Sequence, residues 1–249
     1  MAIAIFFISH WFLSLFFQTF FLHRYAAHGM FRMSKFWERF FYFMTFISQG
    51  SSFLNPRAYA ILHRMHHAHS DSQKDPHSPH HSKNIIQMMK KTYDKYIDIQ
   101  ENKSGKQFNG RDYPAWVAFE KFTPRWGVRL LFGAAYIVFY IVFAPNQWVY
   151  LLLPVHFLMG PIHGAIVNWF GHKWGYVNFR ETKDYSRNTL PVDFLMLGEL
   201  FQNNHHRFPM KPNFANKWFE FDPSYIIIKF MSKLRIIKFE SEILKMNNN

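Results

Sequence analysis

An all-α integral membrane protein, with about three transmembrane helices beneath a cytoplasmic helical cap, is the architecture this sequence predicts, and three observations predict it. Apolar residues make up 49% of the 249-residue chain, and its 31 Phe fall in long runs. The stretches between those runs are strongly polar, so the mildly negative mean hydropathy averages two unlike kinds of segment. The basic excess, a formal charge of +13, lies mostly outside the apolar runs, where an anionic membrane face attracts it. Such a charge also suits nucleic acid. The sequence holds no recognised nucleic-acid motif, so the membrane is favoured and no nucleic-acid partner is expected.

Residues 2–22 are apolar apart from His10, two Ser, Gln18 and Thr19. At about 1.5 Å per residue they cover about 31 Å, enough to cross a bilayer core of about 30 Å. Residues 128–144 and 148–170 give two more spans, separated by the uncharged turn Pro145-Asn146-Gln147. Nothing basic precedes the first span, whereas Arg24, Arg32, Lys35 and Arg39 follow it, so the positive-inside rule runs it from outside to cytoplasm. Residues 36–54 are interrupted by Glu38, Arg39, Gln49 and several Ser. If residues 29–62 begin and end on the cytoplasmic side, they cross twice or not at all, and two crossings need about 40 apolar residues. That is more than they hold, so 36–54 is expected along or partly within the interface. Residues 66–125 are polar, basic and aqueous, and 171–249 are mainly polar, ending in a basic helical stretch around 226–244. The whole, 1–249, reads as one domain without internal repeat or signal-peptide cleavage pattern.

With no Cys, disulfides and thiolate metal sites are excluded, so a metal would be held by nitrogen or oxygen, and 15 His are present. They form four clusters: His23-Arg-Tyr-Ala-Ala-His28, His63-Arg-Met-His66-His67, Asn168-Trp-Phe-Gly-His172 and Gln202-Asn-Asn-His205-His206. On a helix His63, His66 and His67 share one face and can serve two adjacent metals, one on either side of the stripe. His23 and His28, about 140° apart on an α-helix, fit best where a helix ends or bends. The adjacent His205 and His206 suit ligands that straddle a pair of ions. These eight His predict a di-metal site in the cap, whereas His10 and His156 read as core residues and His69, His77, His80 and His81 as solvated loop residues.

The run HRYAAH, HRMHH with SDSQKDPHSP, NWFGH and QNNHHRFP resembles the membrane acyl-CoA/acyl-lipid desaturase family, particularly its stearoyl-CoA (delta-9) branch, from about His23 to Pro209. The resemblance implies metal ligands at His23, His28, His63, His66, His67, His172, His205 and His206. It gives Asn168 the role of holding a metal-bound water. It also implies two Fe ions, O2 as co-substrate and a cis double bond introduced into a long-chain acyl thioester or lipid. The family's last box begins with His, where this chain has Gln202. An amide oxygen, a water or another residue could fill that place, and His163, the best candidate for such a ligand, is more simply structural. Only the second of the family's first two spans is retained, and no fused haem domain is visible. Electrons are therefore expected from a separate carrier, ferredoxin or cytochrome-b-type. The expected setting is a bacterial plasma membrane with the site on the cytoplasmic side.

Imidazole alone does not name the metal, since it suits iron, zinc, copper and nickel. The residues leave open an acyl hydroxylase on the same site and a non-catalytic membrane metal-binding or transport protein. Phe7, Trp11 and Leu15 share a face of the first span and are candidate walls of an acyl tunnel. Lys90, Lys91, Arg111 and Arg125 are candidate partners for a substrate phosphate.

Overall fold

In the computed structural model, which describes residues 1–110 and 113–240, the first span is one long helix. It begins as α1 (Ala2–Phe17) and continues without a break as a π-helix, Gln18–Ala27. β1 (Phe31–Met33) leads into α2 (Lys35–Gln49), whose N-cap Ser34 accepts from the Trp37 amide. This helix packs back along α1 and stops at Gly50, whose positive φ of 52° is a conformation that favours glycine. α3 (Pro56–His69) starts on an Asn55 cap with Pro56 at its first position, and α4 (Ile85–Gln100) starts on an Asn84 cap. A single turn, α5 (Val117–Glu120), precedes α6 (Trp126–Phe143). A 3₁₀ stretch then leads through α7 (Leu153–Phe157) into α8 (Met159–Gly171). α9 (Gln202–Arg207) carries the last His box, and α10 (Pro223–Lys233) and β2 (Ile237–Phe239) complete the described residues.

The described residues are mostly helical, and two helices among them are long and apolar enough to cross a membrane, Ala2–Ala27 and Trp126–Phe143. Three expectations need correction. The third span, 148–170, is not one rod: Gln147–Phe157 and Met159–Gly171 meet at a 74° bend. Pro154 and Pro161 lack the amide hydrogens that a continuous ladder requires, which disfavours a straight run here. The fold is also not wholly helical, because Phe31, Arg32 and Met33 pair antiparallel with Phe239, Lys238 and Ile237. The basic stretch around 226–244 is accordingly helical only to Lys233 and then becomes a strand, and its last residues, like Arg111, lie outside the described residues.

α2 is too short to cross a bilayer core. Its buried face, including Phe41, Tyr42 and Thr45, joins the aromatic core around Phe20, Phe21 and Phe31, while Phe36, Phe40, Phe43 and Ile47 stay uncovered. The turn after it is pinned to α6, where Arg129 donates to the carbonyls of Ser51 (2.8 Å) and Phe53 (3.0 Å). His10 and His156 are buried as expected, their Nδ1 atoms 2.6 Å apart and His156 Nε2 2.9 Å from the Tyr140 hydroxyl.

Candidate metal centre

The π-winding decides how the first cluster is presented. The His28 amide donates to the His23 carbonyl at 3.2 Å, a bond across five residues in place of the α-helical four. Residues five apart thus come one turn above each other, and the His23 and His28 rings lie 5.1 Å apart. α3 supplies His63 and His67 on one line and His66 beside it, while α9 supplies His205 and His206.

These elements gather the eight His into two neighbouring groups. His23, His28, His63, His67 and His205 form one, and His66, His172 and His206 the other; within each group one nitrogen per residue lies within 4.8 Å of all the others. His67 and His206, one from each, have ring centroids 4.5 Å apart, so the groups adjoin. Facing Nε2 atoms are 2.8 Å apart for His28 and His63, 3.0 Å for His23 and His205, and 3.2 Å for His66 and His206. His172 Nε2 is buried without a hydrogen-bond partner, an orphaned nitrogen that a cation would satisfy.

Four carboxylates hold the rings from behind. Nδ1 of His23 bonds Glu199 (2.7 Å), that of His66 bonds Asp75 (2.9 Å), that of His172 bonds Asp71 (2.7 Å), and that of His206 bonds Asp184 (2.6 Å). Such bonds fix the tautomer with the proton on Nδ1, leave the Nε2 lone pair free for a metal, and raise its basicity. Asp71 sits at φ 57°, and its Oδ2 also accepts from the Tyr185 amide, joining the loop after α3 to the loop after α8. Arg24, fully buried, balances Glu199 and Asp222 and stacks over Phe214 at 3.8 Å. Burial pushes His28, His63, His67 and His205 well below 6.5, with neighbouring His adding to the effect. His206 is likewise lowered to about 4 by burial. These five His therefore present neutral imidazoles at neutral pH, the form that binds metal, and an all-imidazole donor set fits iron among other ions.

Sequence reasoning missed the four carboxylates. Asp71 and Asp75 lie in SDSQKDPH just after the second box and Glu199 three residues before Gln202, but nothing in their spacing says which His each one reaches. It also misplaced His77. Expected in solvent, His77 is buried, with its ring 5.0 Å from that of His66 and its amide on Asp75, because the loop folds back under α3. Gln202 stays beside the site: its amide nitrogen donates to the Glu199 carbonyl at 2.6 Å, and it lines the same cavity as His23. Gly171 makes room for it, since a Cβ there would meet the Gln202 side chain. His163 is outside both groups, buried edge-on to Trp11.

A cavity of about 1120 Å³ adjoins the five-His group. His23, His63, Asn168 and Gln202 are among its lining, and Leu130, Ala134 and Ile137 of α6 give it an apolar wall. Of the three proposed tunnel residues only Leu15 borders it: Phe7 packs on His156 and Trp11 on His163. Lys90 also borders the cavity, whereas Lys91 donates to the His81 carbonyl and Arg125 to that of Lys121.

The family model described as fatty acid desaturase matches residues 1–215. A delta-9 desaturase-like 5 protein of Arabidopsis thaliana is 30% identical over 91% of this chain and 74% of its own length. An sn-1 stearoyl-lipid 9-desaturase of Synechocystis is 30% identical over 87% of this chain and 64% of its own length. An acyl-CoA C20 Delta5-desaturase of Anemone leveillei is 27% identical, covering 90% and 69%. With a family model covering most of its length and four His clusters gathered beside an apolar cavity, the chain belongs to the fatty acid desaturase family and is an oxidoreductase of lipid metabolism.

Proposed function

We propose that this protein introduces a cis double bond into a saturated long-chain acyl group, of delta-9 type and carried as acyl-CoA, at a pair of irons held by the eight His. The observation that carries this reading is the pair of adjacent imidazole groups, one of which, through His23 and His63, lines a large apolar cavity. Two hydrogens leave neighbouring methylenes, and one O2, two electrons and two protons become two waters. The irons would supply the oxidation that an unactivated C–H bond demands, beyond the reach of acid–base chemistry. The chain's own residues do the rest. His23, His28, His63, His67 and His205 hold one ion, and His66, His172 and His206 hold the other with one His fewer than the family pattern provides. Glu199, Asp75, Asp71 and Asp184 keep the rings fixed, and Asn168 holds a water beside them. The cavity walls exclude solvent and set which methylenes lie nearest the site.

On this reading 1–249 is one domain with three crossings, 2–22, 128–144 and the bent 148–170, and with 36–54 in the interface. The capping helices and the site face the cytoplasm of a bacterial cell, where a separate ferredoxin or cytochrome-b-type carrier delivers electrons singly. Expression in a host supplied with saturated acyl chains, followed by mass spectrometry of its lipids, tests the reading. New monoenes should appear, dependent on O2 and iron, and His66→Ala should abolish them. Hydroxy acids in their place would make the protein a hydroxylase, the outcome if oxygen transfer outpaces loss of the second hydrogen.

A further inference from the structure

Two segments beside the last His box present large apolar side chains that no other part of the described chain covers. The first is the loop before α9, where Leu190, Val192, Phe194 and Leu195 are exposed, Phe194 at 61%. This loop is not slack. The Asp193 carboxylate is buried within it and accepts from the amides of Met196 (2.8 Å), Gly198 (3.1 Å) and Leu200 (3.0 Å), turning the apolar side chains outward. The second segment is α10, where Ile226 and Phe230, with Leu234 at the C-cap, form an exposed stripe at i, i+4 and i+8 while Ile228 is buried behind it. Phe194 and Phe221 rings 5.3 Å apart join the two segments into one surface.

The occupant follows from what this surface continues. Trp11 Nε1 donates to the Leu195 carbonyl at 3.1 Å, so the loop lies against α1 at the level of Trp11. Trp11 is about 14 Å along the helix from Ala2, well inside a segment long and apolar enough to cross a membrane. Ile8 and Phe12, on either side of Trp11, are themselves uncovered, so the loop extends the face that α1 shows to lipid. Around α10 the exposed charges are basic: Lys229, Lys233, Arg235 and Lys238. An amphipathic helix with an apolar stripe and a basic flank suits the boundary of an anionic leaflet. The β1–β2 ladder ties the segment after α10 to the segment before α2, whose uncovered Phe36, Phe40 and Phe43 face outward too.

We infer that the loop 189–198 and α10 are inserted into the leaflet on the side of the His groups, as a lipid-bound collar that adds to the spanning helices and binds anionic lipid through α10. The collar has a consequence for the metal centre. Glu199, which orients His23, and the box from Gln202 to His206 follow the inserted loop directly. The bilayer thus fixes the height of the centre, and an acyl chain can reach it without leaving the apolar phase.

The chain has no Cys, which makes the test direct. Phe194→Cys, Ile226→Cys and Phe230→Cys, each labelled with an environment-sensitive fluorophore, are compared with Lys103→Cys in the full-length protein. The hosts are nanodiscs of phosphatidylcholine with or without phosphatidylglycerol. The collar predicts several-fold stronger quenching by acyl-chain spin labels than at position 103, and several-fold weaker quenching by aqueous iodide. In Lys229→Glu/Lys233→Glu the label at 230 should lose much of its lipid quenching in anionic discs, while the label at 194 keeps it. Iodide quenching at 194, 226 and 230 equal to that at 103 would overturn the inference. So would protection from iodide that scales with protein loading and not with lipid, since a second copy would then cover the surface. No turnover is measured, so the result stands apart from the proposed desaturation.

Discussion

Four imidazoles of the centre are held by a carboxylate at Nδ1. Asp75→Asn and Glu199→Gln keep the size of the side chain but weaken the hold on Nδ1 of His66 and His23. Loss of such a partner typically costs about 10–100-fold in metal affinity. Each variant should therefore bind iron more weakly by that factor in a chelator competition, and unchanged affinity would remove the orienting role. Protonation gives a second handle. Burial holds His28, His63, His67 and His205 well below 6.5 in the folded protein, whereas the unfolded chain takes up those protons as pH falls through that value. More protons on the unfolded state means that stability drops as pH drops. His66 works the other way, because Asp75 outweighs its burial and raises it, but it is one group against several. The thermal midpoint of the metal-free protein should fall from about pH 7 to about pH 5, and a flat profile would contradict the burial of these rings. The eight His were legible because their spacing on helices is itself a geometric statement. Their carboxylates were not, because Asp71 and Asp184 reach His172 and His206 across loops whose paths no local pattern encodes.

At the scale of elements, the departures from regular helix lie where the site needs them. A spacing of five between His23 and His28 marked a local irregularity, and the chain meets it by π-winding and not by stopping. The bend between α7 and α8 likewise falls inside an apolar run that composition alone reads as one span. Gly50 ends α2 and begins the turn toward α3. Its φ of 52° suits glycine, and an added Cβ would collide with the Tyr136 hydroxyl. Gly50→Ala should destabilise the protein by about 1–3 kcal/mol. Adding Tyr136→Phe should recover part of that, because it removes the collision and leaves the backbone strain. Thermal unfolding of the single and double variants measures both, and an undisturbed single variant would show that the turn can relax.

Across the whole molecule, the cavity joins His23 and His63 to residues of α6 and α8. Ala134 lies on its α6 wall. Ala134→Phe should fill part of it and shift products toward shorter acyl chains, read by mass spectrometry of host lipids. An unchanged chain-length profile at normal yield would mean that the acyl group runs elsewhere. Of the residues chosen from the face of α1 only Leu15 borders the cavity, because which side of α1 meets it depends on how α6 and α8 pack around it. By itself the sequence determined the apolar helices, the zero-Cys donor chemistry and the eight His, since composition and helical spacing are local quantities. Only the tertiary structure decided the five-and-three division of those His, the carboxylate behind each of four, the burial of His77 and the bond from Gln202 to the Glu199 carbonyl. Those depend on segments far apart in the chain being brought together by packing, and no short window of residues carries that information.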